Sequence, residues 1–152
     1  MRFTIRSLKL LLCAITVNVT TLASAAEEDI FIPRIESVPS LTDFEGMVPR
    51  TELARSMSKV ENFIQRDPDD GEPSKQRTEV YIGYDQTHLY AIWLAFDSEP
   101  ELIRANLSSR ENIGGDDRVG LTIDTFNDQR TALSFPATPL GIQWDARWPE
   151  GS

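Results

Sequence analysis

The stretch TEVYIGYDQTHLYAIWLAF, Thr78 to Phe96, decides how this chain is read. Its two halves, TEVYIGY and LYAIWLAF, are rich in the β-branched and aromatic residues that pack well on a pleated surface. Between them, Asp85-Gln86-Thr87-His88 is a polar, turn-forming insert, so the pattern predicts a β-hairpin. Side chains alternate across a strand. Val80, Ile82 and Tyr84 therefore share one face of the first strand, and on the second Tyr90, Ile92, Leu94 and Phe96 oppose Leu89, Ala91, Trp93 and Ala95. Both faces of the second strand are apolar. That predicts a central strand covered on both sides, or one with a face in the core and a face under a helix or loop, with Trp93 as a core residue.

Toward the carboxy end, Ser98-Glu99-Pro100-Glu101 has the cap, first-turn proline and capping-box spacing of a helix start. With Leu102, Ile103 and Leu107 as its apolar side, this short helix is expected to run to about Ser109. Three more strands follow by pattern: Arg118 to Asp124, Thr131 to Phe135 and Ile142 to Trp148, separated by Phe126-Asn127-Asp128 and Thr138-Pro139-Leu140-Gly141. Short strands at such spacing predict an all-β fold, an antiparallel β-sandwich of immunoglobulin-like or jelly-roll type with one short helix.

Toward the amino end, DPDDGEPSKQR, Asp67 to Arg77, has the prolines, glycine and charge of a solvated loop. It fails as a helix-loop-helix calcium loop, because Gly71 falls at position five and Thr78 at position twelve. Residues 27 to 62 hold Pro33, Pro39 and Pro49 with weak periodicity, and are expected to form an extended lead-in to a domain spanning 63 to 152. Residues 1 to 26 read as a secretory signal peptide: Arg2, Arg6 and Lys9 precede the apolar run LLLCAITVNVTTLA, and Ala23-Ser24-Ala25 supplies the small residues of a cleavage site. That run is shorter than a membrane span and is interrupted by Asn18, Thr20 and Thr21, so no transmembrane segment is expected after signal removal.

Composition limits the function classes. The chain has 152 residues, 40% of them hydrophobic, enough for one domain with a core. Loss of the signal would take the 15 basic residues to 12 against 24 acidic, a net charge of −12, which argues against nucleic acid as a partner. The one cysteine, Cys13, lies in the signal, so neither a disulfide nor thiol redox chemistry is expected of the mature chain. Export points to the periplasm, outer membrane or medium.

The segment GGDDRVGLTIDTFNDQR, Gly114 to Arg130, is dense in acids. Asp116 and Asp117 are adjacent and so point to opposite sides of an extended chain, which argues against a glycosidase-type pair. Asp124, Asn127 and Asp128 form either an ordinary Asx turn or an oxygen-rich loop suited to a structural calcium ion. Trp144 and Trp148 would share a face of a continuous strand about 13 Å apart, spaced to stack on sugar rings, with Arg110, Asp117 and Gln143 as polar contacts. The bland alternative for Trp144 is a core position beside Ile142 and Ala146.

Three segments, FIQRDPDDGEPSKQRTEVYIGYDQTHLYAIWLAFDSEP, RENIGGDDRVGLTIDTFNDQRTALSF and TPLGIQWDA, together resemble the amino-terminal part of the carbohydrate-binding module family 9-like domain found at the start of large secreted bacterial proteins. The resemblance covers Phe63 to Ala146 and implies a β-sandwich that binds polysaccharide or oligosaccharide, with aromatic rings on the sugar and calcium serving structure. Two departures accompany it. Pro136 stands where a strand residue is expected, and the family domain continues for several strands past the point where this chain stops, which implies an incomplete sandwich belonging to a longer parent protein.

The expected function is thus an exported, non-catalytic carbohydrate-binding module. A structural or assembly module of a larger envelope protein is the alternative. An enzyme, for instance a glycoside hydrolase fragment with Asp116, Asp117, Asp124 or Glu79 as its acids, ranks below both, since His88 sits in a turn with no triad around it.

Overall fold

The computed structural model describes residues 30–149, and the signal peptide expected over residues 1 to 26 lies outside them. The expected hairpin is present as β2 (Thr78–Tyr84) and β3 (Leu89–Ala95), and β1 (Ser58–Val60) pairs antiparallel with the far side of β2. Asp85 builds the turn: its carboxylate accepts the N–H groups of Thr87 at 2.7 Å and His88 at 2.8 Å, and the hydroxyl of Tyr90 at 2.7 Å. The sheet order β1-β2-β3 makes β3 an edge strand rather than a central one. Its two apolar faces have different destinations.

One face, Tyr90, Ile92 and Leu94 with Tyr81 of β2, meets the core residues Ile35, Phe44, Ala54 and Met57. All four come from the segment expected to be a lead-in, so residues 30 to 57 are part of the core rather than outside it. Local capping organises them. Ser40 and Asp43 form a capping box on the 3-10 turn Leu41–Phe44, and Thr51 Oγ1 accepts the N–H of Ala54 at the start of α1 (Glu52–Ser56). Ile35 N–H donates to Tyr84 O at 2.8 Å and Tyr84 N–H to Pro33 O at 3.1 Å, which ties the segment to the end of β2. Gly83 permits this approach, because a Cβ there would meet Ile35 Cγ2 at 3.0 Å. Phe44 then packs on Tyr81 with ring centroids 4.9 Å apart.

Glu79 lies at the border of this core, buried beside charged neighbours. Its carboxylate accepts Arg77 Nη2 at 2.5 Å and the Tyr81 hydroxyl at 3.0 Å, with Lys59 Nζ 3.5 Å away. Burial raises its pKa, but Arg77, Tyr81 and Lys59 together outweigh burial and hold the carboxyl below its ordinary value. Arg77 also covers the Phe96 ring at 4.3 Å.

The second sheet contains β4 (Val119–Ile123), β5 (Ala132–Ala137) and β6 (Ala146–Trp148), antiparallel in chain order. The fold is therefore all-β, two three-stranded antiparallel meanders with very little helix. Val119, Leu121 and Ile123 share a face with Ala137, Phe135 and Leu133; Gly120 and Thr122 share the other with Pro136 and Ser134.

Two local expectations change. The helix expected to reach Ser109 is only a 3-10 turn, Pro100–Leu102, after which Ile103 is extended. Asp116 and Asp117 hold the following residues extended: Asp116 accepts the N–H of Asn106 at 3.1 Å and its side-chain amide at 2.6 Å, and Asp117 accepts the N–H of Arg104 at 2.9 Å. The last strand is also shorter than expected. In the β5–β6 register Pro136 stands opposite Trp144, where its carbonyl accepts the Trp144 N–H at 3.1 Å but it has no N–H to return. Pairing beyond Ala146 is reduced to an isolated bridge at Gln143. The ladder to β4 survives, since the main-chain groups of Pro136 face the other way.

Candidate functional site

The interruption at Pro136 shapes a small open cleft of about 230 Å³, lined by Arg110, Gln143, Trp144 and Asp145 over the β5 residues Phe135 and Ala137. The main chain sets its walls. Glu111 N–H donates to Gln143 O at 3.0 Å, Thr138 N–H to Ile142 O at 3.0 Å, and Gly141, at φ 78°, closes the turn between them. Arg110 reaches Asp145 at 2.5 Å, both side chains more than half exposed, and the Asp145 carboxylate raises the guanidinium pKa.

Three of the five residues expected to contact sugar, Arg110, Gln143 and Trp144, therefore meet in one place. Trp148 is beside them, exposed, with its ring centroid 6.3 Å from that of Trp144 and the planes at 82°. The expected spacing of about 13 Å assumed a regular strand. The rings instead meet edge to face, so each offers its own surface and together they make no flat platform. Asp117 lies apart from the cleft, engaged by the N–H and guanidinium of Arg104. Asp145 was not foreseen. Its partnership with Arg110 spans 35 residues, and nothing local in the sequence signals it.

The oxygen-rich loop after β4 is turned in on itself. Asp124 accepts the N–H groups of Phe126 at 3.0 Å and Gln129 at 2.7 Å, and Asp128 those of Arg130 at 2.8 Å and Thr131 at 3.3 Å. Asn127 and Gln129 take left-handed backbone conformations at φ 51° and 57°. The bond from Gln129 is the largest cause holding the Asp124 carboxyl below its ordinary value; burial opposes it, and the other loop amides reinforce it. Among the described residues no three His, Cys, Asp or Glu side chains gather as a metal-binding group. Asp124→Ala is expected to lower the melting temperature and speed exchange of the Phe126 and Gln129 amides, measured by hydrogen-exchange NMR.

The carboxylates weighed as catalytic acids each have their own donors: Asp116 has Asn106, Asp117 has Arg104, and Glu79 has Arg77 and Tyr81. His88 is exposed in its turn, with Nδ1 2.8 Å from Thr87 Oγ1.

An apolar cleft of about 680 Å³ separates the two sheets, with Leu89, Ala91 and Trp93 of β3 on one side and Val119, Leu121 and Ile123 of β4 on the other. It shares Phe135 and Ala137 with the polar cleft. Trp93 is half-buried there, its ring centroid 6.3 Å from that of Phe63, rather than enclosed in the core. Comparison of the chain with protein-family models, with curated proteins and with solved structures found no match.

Proposed function

We propose that this chain is an exported, non-catalytic carbohydrate-binding module, and that its sugar contact is the cleft of Arg110, Gln143, Trp144 and Asp145 with Trp148 at its rim. The observation that carries the reading is the convergence of an indole with a guanidinium, an amide and a carboxylate in one open cleft. A pyranose has an apolar face of C–H groups and a rim of hydroxyls. An indole matches the face, and groups that donate and accept match the rim. Arg110 keeps donors free after its bond to Asp145, because a guanidinium carries five N–H groups. Gln143 both donates and accepts.

The test is calorimetric titration of the chain with xylan- and glucan-derived oligosaccharides. Trp148→Ala is expected to weaken binding about tenfold or more while lowering the melting temperature only slightly, because the ring is nearly half exposed and its ring partner is Trp144. Trp144→Ala, half-buried, is expected to weaken binding and lower the melt together. Affinity unchanged in both variants would remove the cleft from the reading. A second reading, an assembly module of a larger envelope protein, is favoured by the apolar cleft between the sheets.

A further inference from the structure

The free side of β3 carries a row of main-chain groups with no partner. Phe96 N–H donates to Arg77 O at 2.9 Å and Asp85 N–H to His88 O at 3.0 Å, which sets the phase of the β2–β3 ladder. In that phase Tyr90, Ile92 and Leu94 direct N–H and C=O toward β2, and Leu89, Ala91, Trp93 and Ala95 direct theirs outward. Among the described residues none of these outward groups is hydrogen-bonded.

Natural edge strands are blunted by shortness, charge, proline or a bulge. β1 and β6 are three residues long and hold Lys59 and Arg147, and β4 is five residues with Gly120 in it. β3 is seven residues, LYAIWLA, with no charge, proline or glycine, and Leu89 and Ala95 at its ends are exposed.

We propose that this edge pairs with the same edge of a second copy of the chain, the two β3 strands running antiparallel about a twofold axis at Ile92. The unpaired N–H and C=O groups call for a strand. The sequence of the edge favours a copy of itself. A twofold pairing sets Ala91 opposite Trp93 of the other copy and Ala95 opposite Leu89, so each small side chain meets a large one. No like charges are brought together along the seam, although the chain has a net charge of −9 that repels close approach elsewhere. The joined sheets continue as β1-β2-β3-β3-β2-β1, and the apolar residues Leu89, Ala91 and Trp93 become shared between the two inter-sheet clefts.

The test is sedimentation equilibrium of the full chain from about 1 to about 100 μM, a range that brackets dimers of micromolar affinity. A mass rising to twice that of one chain is expected. Ala91→Pro, which deletes one outward N–H, and Ala95→Lys, which sets a charge against Leu89, are expected to sediment as monomers with unchanged circular dichroism. In the unaltered protein, exchange of the Leu89, Ala91, Trp93 and Ala95 amides should slow as concentration rises. A monomer at the highest concentration, a dimer that persists in both variants, or amide protection independent of concentration would each overturn the proposal.

Discussion

Phe44→Ala is expected to lower the stability by about 4 kcal/mol, the range for deleting a buried aromatic ring. Phe44 is 3% exposed and packs against Tyr81, ring planes tilted by 54°, among Ile35, Ala54, Met57 and Leu94, so the cavity would open beneath the sheet with little room for collapse. For a chain of this size the melting temperature should fall by about 10 °C or more. Differential scanning calorimetry measures it. An unchanged melt would mean that the segment before β1 does not carry the core, and that the sheet is stabilised by something else.

Glu79→Gln is the second large effect, at about 2 kcal/mol, because it removes the negative charge and replaces one of the two acceptor oxygens that serve Arg77 and Tyr81 with a donor, in a buried position. The loss stays below that of a fully buried ion pair, since Arg77 and Lys59 are exposed enough to turn into water. The same carboxyl contributes to the acid limb of stability, together with Asp85, Asp117 and Asp124, all held below their ordinary values. Its folded pKa lies below the ordinary 4.5, and those of Asp117 and Asp124 lie below 3.8. Depressed carboxyls stabilise the fold above their unfolded values and lose that contribution as pH falls through the folded ones. The melting temperature should therefore hold from neutral pH to just above 4.5 and fall below it. In Glu79→Gln the upper part of that fall should be missing. A variant with the same acid profile as the unaltered chain would show that Glu79 is not depressed in the fold.

The hairpin at Thr78 to Ala95 was legible because periodicity of two and a polar turn are local, and both strand boundaries agree with the structure to within a residue. β4 was legible for the same reason. The segment 30 to 57 was not, since caps, prolines and single buried residues such as Ile35 and Met57 make no repeat. The helix expected after Ser98 failed for a different reason. Its capping pattern was present, but Asp117 and Asp116, thirteen and ten residues further on, bind the main chain of Arg104 and Asn106 in extended form. Local propensity of well under 1 kcal/mol per residue yields to charge-assisted bonds of that kind.

The candidate cleft divides along the same line. Trp144, Gln143 and Arg110 could be picked from the sequence by residue type, because aromatic and bifunctional polar side chains are what a sugar requires. Their meeting place, the edge-to-face arrangement of Trp144 with Trp148, and the pairing of Arg110 with Asp145 depended on Pro136 breaking the β6 ladder. The sequence alone determined an all-β chain, because alternation of apolar residues along a strand is a property of neighbours. Only the tertiary structure decided which strand became an edge, what covered the hairpin, and where Asp117 was spent, because those outcomes depend on which distant segment supplies the hydrogen bonds and the apolar face that each element leaves unsatisfied.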